Sequence, residues 1–182
     1  MLNDKSIRKL VLEKKLISPF SEDLLQSHTY DLTLNNEFIL FKACKPHEVF
    51  EVGKSNIEDF REKEMVIKDS FIIYPNDFVL GVTIEKIKLP PTLTATLEGK
   101  STVGRLGLLI HDAGFIDAGF EGTLTLEIKN LNSFPIKVIK GMKIAQIIFY
   151  SVDEPETAYN SKRNHYQGQI TVTQPDTNNL IN

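Results

Sequence analysis

The chain has 182 residues, 41% of them apolar and 25% charged, the balance of an ordinary globular protein able to bury a core as one domain. A net charge of −3 excludes a broad basic surface for duplex nucleic acid, so any anion has to be held by a local cluster. A single cysteine, Cys44, excludes an internal disulfide and points to a reducing compartment. Met1-Leu2-Asn3-Asp4 has no signal-peptide pattern, and no apolar run approaches the roughly 20 residues that span a bilayer, so a cytoplasmic protein is expected.

Residues 3–16 read as a helix. Asn3 can cap it, Ile7, Leu10 and Val11 share one face, Leu2 and Ile7 hold the two positions of a hydrophobic staple, and Pro19 follows its end. The pattern then changes to short extended runs. Residues 29–34 alternate, and 38–41 form an apolar run separated from them by Asn35-Asn36, a candidate tight turn. Residues 42–70 are charged and irregular and read as a surface insertion, with one strand expected near 64–67. Further strands are expected at 70–74, 78–84, 92–97, 108–110, 123–130, 136–139 and 144–150, separated by turn signals such as Pro75-Asn76-Asp77, Asn132-Ser133 and Lys140-Gly141. Many short strands at this spacing predict a mainly β sandwich or barrel. From about Asp153 the sequence is polar and reads as a frayed tail or a lid.

Three stretches carry chemistry. The first, Glu98-Gly99-Lys100-Ser101-Thr102-Val103-Gly104-Arg105-Leu106-Gly107, follows a predicted strand and combines glycines, hydroxyls and two cations. That mix suits phosphate, although its spacing is not that of a P-loop and a simple turn remains open. The second is the alternating run 123–129, which puts Leu124, Leu126 and Ile128 on one face and Thr123, Thr125, Glu127 and Lys129 on the other. Glu127 is either a solvated strand residue or a general base on a rigid support. The third is Asp117, near Gly119, either a turn former or a site carboxylate. The four histidines show no metal-ligand spacing, and one cysteine cannot supply the ligands of a zinc nucleoside deaminase, so no zinc is expected. Tyr159 through Gln169 interleave aromatics, cations and amides, as a lid over a nucleotide would.

Taken together and in order, these motifs closely resemble the dCTP deaminases of the trimeric dUTPase superfamily. The likeness rests on 98–108, on Ala113-Gly114-Phe115-Ile116-Asp117-Ala118-Gly119-Phe120-Glu121-Gly122, on Thr125-Leu126-Glu127, on Gly141-Met142-Lys143-Ile144-Ala145-Gln146 and on Tyr166-Gln167-Gly168-Gln169. Tyr30-Asp31-Leu32-Thr33-Leu34 also looks like that family's opening. The resemblance implies one domain over residues 1–182, a distorted jelly-roll or β-barrel with a short N-terminal helix, with 153–182 as a C-terminal lid. It implies a homotrimer with sites between subunits. It places Lys100, Ser101, Thr102, Val103, Gly104 and Arg105 around the phosphates and reacting water, Asp117 at the sugar, and Thr125, Leu126 and Glu127 at the base. Gln146, Tyr159 and Gln169 match further triphosphate contacts, and Mg²⁺ would arrive with the nucleotide. Glu127, Ser101, Arg105 and Asp117 would be catalytic. Gly114 and Phe115 stand where monofunctional bacterial members tend to carry His-Arg, which implies the type that carries dCTP on to dUMP. The sequence departs from the family pattern at Thr102, Ala145 and His165. The alternatives are a deaminase that stops at dUTP, a dUTPase, and a non-catalytic nucleotide-responsive binding protein.

Overall fold

The computed structural model describes residues 1–43, 45, 47–62, 66–111, 114–157, 159, 165–177 and 180, with His111 described through its backbone alone. Cys44, Asp112, Lys162, Arg163 and residues 64–65 of the strand expected near 64–67 lie outside the described residues.

Helix α1 (Asp4–Lys14) forms where its signals place it. The Asn3 side chain accepts the Ser6 N–H at 3.0 Å. Ile7 is fully buried, and Leu2, Leu10 and Val11 pack against the same core. Lys15 ends the helix in the left-handed conformation (φ 54°), its N–H turned back to the Leu10 and Val11 carbonyls.

Strands account for most of the rest: β1 (Ile17–Ser18), β2 (Tyr30–Thr33), β3 (Glu37–Leu40), β4 (Val66–Ile67), β5 (Ser70–Ile73), β6 (Phe78–Lys88), β7 (Leu93–Gly99), β8 (Leu108–His111), β9 (Phe115–Ile116), β10 (Glu121–Asn130), β11 (Ile136–Ile139) and β12 (Lys143–Ser151). A one-turn helix, α2 (Ser101–Arg105), separates β7 from β8. One sheet runs β4-β3-β6-β10-β8 with β1 added on β6; a second runs β2-β12-β7-β9; β11 and β5 form a third pair. The sheets do not close into a barrel, and the fold is mainly β and jelly-roll-like. A single core joins inward residues of both large sheets, among them Val79, Leu126 and Ile128 from one and Leu32, Ala95, Ile147 and Phe149 from the other.

Two features differ from the sequence reading. Asn35 and Asn36 do not close a hairpin, because β2 and β3 belong to different sheets. Leu34 donates to the Met142 carbonyl and Asn35 to the Val82 carbonyl, so the chain changes sheets at this point. All four residues of β2 are buried, as suits a strand covered on both faces, and the expected alternation is absent.

The β6–β10 ladder carries an irregularity that shapes both the core and the site. Thr123 faces Lys86, whereas Thr125 faces Val82, so Thr83, Ile84 and Glu85 bulge out of register. Thr83 Oγ1 accepts the Leu124 N–H at 3.0 Å, which satisfies the amide the bulge would orphan. Glu85 is only 2% exposed. Its carboxyl meets the Thr33 N–H at 2.8 Å and the Thr33 hydroxyl at 2.6 Å. Burial pushes its pKa up from the ordinary 4.5, and the Thr33 contacts only partly oppose this.

The C-terminal segment packs along β10. Gly168 donates to the Glu121 carbonyl at 2.7 Å, and the Gln169 carbonyl accepts the Thr123 N–H at 2.9 Å. Val172 is buried in a small cluster with Ile39, Leu80 and Val82. Gly122 allows this approach: a β-carbon there would stand 3.1 Å from both the Gln169 carbonyl oxygen and its side chain.

Two outcomes follow from these contacts. A carboxyl whose folded pKa is raised binds its proton more tightly in the native state, so it favours folding at low pH. That contribution is lost as pH rises from 4.5 through the raised value. Glu85→Gln, which keeps one acceptor for the Thr33 N–H and one donor for its hydroxyl, should therefore stabilise the protein at neutral pH by about 1–3 kcal/mol. Denaturant midpoints measured between pH 4 and 8 should show that gain shrinking toward the acid end, and a gain independent of pH would refute the assignment. Gly122→Ala should loosen the tail without unfolding the sheets: proteolysis within 165–177 should accelerate while Tm falls by less than about 4 °C.

Candidate active site

β10 supplies the floor of a cavity of about 350 Å³. Its burial alternates, with Leu126 and Ile128 fully buried while Thr125, Glu127 and Lys129 are half-exposed. Thr125 and Glu127 line the cavity together. Glu127 is held between two strands, facing Leu80 of β6 and His111 of β8 in the backbone register.

The wall comes from the other sheet. After β8 the chain crosses over, and β9 joins the edge of the second sheet by pairing with β7. The Gly114 carbonyl accepts the Leu97 N–H at 2.9 Å, and Gly114 has a positive φ of 47°. This crossing carries Gly114, Phe115 and Asp117 onto the cavity that Glu127 floors. Phe115 is 60% exposed, a large apolar side chain at the mouth. The turn after Asp117 is closed by its backbone, the Asp117 carbonyl accepting the Phe120 N–H at 3.2 Å. The exposed Asp117 carboxylate accepts no hydrogen bond from the described residues, so its side chain is not spent on the turn. Tyr159 lines the same space, its ring 5.9 Å from that of Phe120. Burial, with a smaller push from the Asp117 charge, raises its phenol pKa and keeps it a neutral donor.

The tail closes the far side. Gln169, Thr173, Gln174 and Pro175 all face the cavity. Thr173 Oγ1 lies 3.0 Å from Thr125 Oγ1 and donates to Gln169 Oε1 at 2.8 Å. Sequence reasoning misses Thr173. The available signal is the period of two in Ile170-Thr171-Val172-Thr173, which puts Val172 into the small core and Thr173 toward Thr125.

The remaining candidates lie elsewhere on the chain. Residues 98–107 are not an open glycine loop: Ser101 to Arg105 form one helical turn anchored by the buried Val103. Gly107 (φ 84°) ends the turn, and the Asn132 side chain caps the Leu106 carbonyl at 2.9 Å. Ser101, Thr102, Gly104 and Arg105 are exposed, and a β-carbon at Gly104 would meet nothing within 4 Å. Lys100 pairs with Asp31 at 2.6 Å, and Gln146 stands opposite Asp31 on β12. None of Lys100, Ser101, Thr102, Val103, Gly104, Arg105 or Gln146 lines the Glu127 cavity. The candidates thus divide in two: a pocket with two carboxylates and two threonines, and an exposed surface with hydroxyls and cations.

Comparison with known proteins bears on both halves. Residues 1–152 match the family model described as dCTP deaminase-like. The "dCTP deaminase, dUMP-forming" of Sulfurihydrogenibium sp. (strain YO3AOP1) is 46% identical over 175 residues, covering 95% of this chain and 94% of the relative. That of Persephonella marina (strain DSM 14350 / EX-H1) is 43% identical over 174 residues, again 95% and 94%. Among solved structures, the 2'-deoxycytidine 5'-triphosphate deaminase of Agrobacterium tumefaciens matches with a TM-score of 0.63 at 25% identity, over 81% of this chain. This chain spans about half the length of that larger protein, 47% of it. Agreement along nearly the whole length of the two relatives, together with the family model, places this chain in the dCTP deaminase-like family.

Proposed function

We propose that the protein deaminates dCTP and carries the product on to dUMP in the same site. The observation that carries this reading is the cavity in which Glu127 and Thr125 of one sheet meet Asp117, Gly114 and Phe115 of the other. The two relatives named dUMP-forming support it along nearly their whole length. In the first step Glu127 takes a proton from a water that attacks C4 of cytosine, then returns it toward N3 and the departing amine. dCTP and water give dUTP and ammonia. Ser101 and Arg105 position that water and stabilise the charge of the tetrahedral intermediate. In the second step a water near Asp117 attacks the α-phosphorus, and dUTP and water give dUMP and diphosphate.

Because Ser101 and Arg105 do not line the cavity of their own chain, we infer a homotrimer in which each cavity meets the α2 surface of a neighbouring copy. Lys100, Thr102, Val103, Gly104 and Gln146 come with that surface. Tyr159 and Gln169 stay with the cavity, and 153–182 serves as its lid on a single domain. Mg²⁺ fits as an ion carried by the triphosphate, held mostly by phosphate oxygens and water, in a cavity that Asp117 and Glu127 line with carboxylates. When bound it neutralises phosphate charge. The cytoplasm is the compartment consistent with this role.

Incubation with dCTP and Mg²⁺, with products resolved by chromatography, should give ammonia and dUMP in equal amounts. Glu127→Gln should lower deamination by about 10²–10⁴-fold, while Asp117→Asn should make dUTP accumulate. Undiminished deamination by Glu127→Gln would reject the mechanism. Shared sites give a second outcome. Glu127→Gln and Ser101→Ala chains, each inactive alone, should recover about a quarter of wild-type activity when reassembled together, the fraction of interfaces with both residues intact.

A further inference from the structure

We propose that Asp31 is a positioning residue for the polyphosphate chain, and that Lys143, which it holds beside Lys100, is a further phosphate-binding residue. This rests on the nucleotide reading above. Asp31, on β2, is 1% exposed. Its Oδ1 accepts from Lys100 Nζ at 2.6 Å, and its Oδ2 lies 3.4 Å from Lys143 Nζ and accepts from Gln26 Nε2 at 3.3 Å. Lys143 Nζ also donates to the Asp23 carbonyl at 3.1 Å.

One buried carboxylate thus faces two ammonium groups, which leaves a surplus positive charge and N–H donors to spare on both lysines. The lysine side chains are 24% and 44% exposed against 2% for the carboxylate, so the cations reach solvent and the anion does not. Directly opposed residues share a sheet face, and Gln146 is opposite Asp31 on one side and Glu98 on the other. Lys100, Lys143 and Gln146 therefore gather around one point. Glu98, exposed beyond Gln146, makes no ion pair with them among the described residues. The backbone of Lys100 is held independently, its N–H on the Ile144 carbonyl at 3.3 Å and its carbonyl accepting the Gly104 N–H at 2.9 Å. Asp31 consequently acts on the lysine side chain and not on the course of α2.

The probe is inorganic tripolyphosphate, titrated calorimetrically into the full chain, alongside steady-state kinetics with dCTP. Removing a negative charge beside an anion site would by itself tighten binding, so weaker binding by folded Asp31→Asn can come only from misplaced lysines. We expect its Kd for tripolyphosphate and its KM for dCTP to rise about tenfold, with kcat within about threefold of wild type. Lys143→Gln alters a partly exposed side chain, serves if Asp31→Asn fails to fold, and should weaken tripolyphosphate about threefold. Unchanged or tighter binding by Asp31→Asn, unchanged binding by Lys143→Gln, or no binding by wild type each overturns the proposal. The titration needs no turnover. A wild-type chain that binds tripolyphosphate without consuming dCTP would reject the proposed function and leave this test in force.

Discussion

The hydrogen-bond register of β10 between β6 and β8 decides which face Glu127 presents, and the cavity depends on it. Glu127 is opposite Leu80 and His111, and Ile128 is opposite Val79 and Ile110. A slip of one residue would turn Glu127 into the core and bring Leu126 and Ile128 out. Exposing two fully buried aliphatic side chains costs about 1.5–3 kcal/mol each, before the larger cost of burying a carboxylate in an apolar core. The bulge at Thr83 to Glu85 absorbs its mismatch before Thr125, so the site half of the strand runs in regular pairing. Rigidity at position 127 is thus a by-product of core packing.

Among the described residues, the two most buried carboxylates have different partners. Asp31 faces two lysines and a glutamine, so both of its carboxylate oxygens have partners. Glu85 is bonded by one threonine, through its N–H and its hydroxyl, and burial favours its protonated form. The Thr33 N–H and hydroxyl both donate to the Glu85 carboxyl, one to each oxygen. The nearby strand positions Asp31 and Thr33 therefore anchor a charged cluster and a neutral one.

Much of this is legible in the sequence where a local rule operates alone. The cap at Asn3, the packing of Leu2 and Ile7 in one core, the alternation of 124–129 and the strand at 136–139 follow from spacing and turn chemistry, and the structure has them. Thr123, expected on the open face, is buried where the bulge shifts the register. What local rules miss depends on distant partners. β1 and β9 have two residues each, too few for a period, and exist because β6 and β7 offer free edges. α2 has a glycine and a threonine within one turn, so propensity argues against it. Burial of Val103 and the caps at Gly107 and Asn132 make it a helix. Asp117 and Glu127 each read as an ordinary polar residue, and only the crossing from β8 to β9 brings them to one cavity. Thr173 is hidden for the same reason, its partner Thr125 lying 48 residues earlier.

On the reading proposed above, the separation of the pocket from the α2 surface also constrains how copies assemble. Gly107, just past α2, accepts the Leu131 N–H, which ties the helix to a point four residues beyond Glu127, just past the end of β10. At about 3.3 Å per residue that is roughly 13 Å along the strand. A two-fold contact would set the same patch of each copy against itself, pocket to pocket or helix to helix, unless both lay on one face. Pocket against helix is a head-to-tail contact, and such contacts either close into a ring or run on as a filament. Closure satisfies every pocket and leaves no exposed α2 surface unpaired, while a filament always ends with one of each. An enzyme that draws its water-activating groups from two chains through such a contact would fill all its sites once the ring closes, and the smallest ring with distinct front and back partners for each copy has three members.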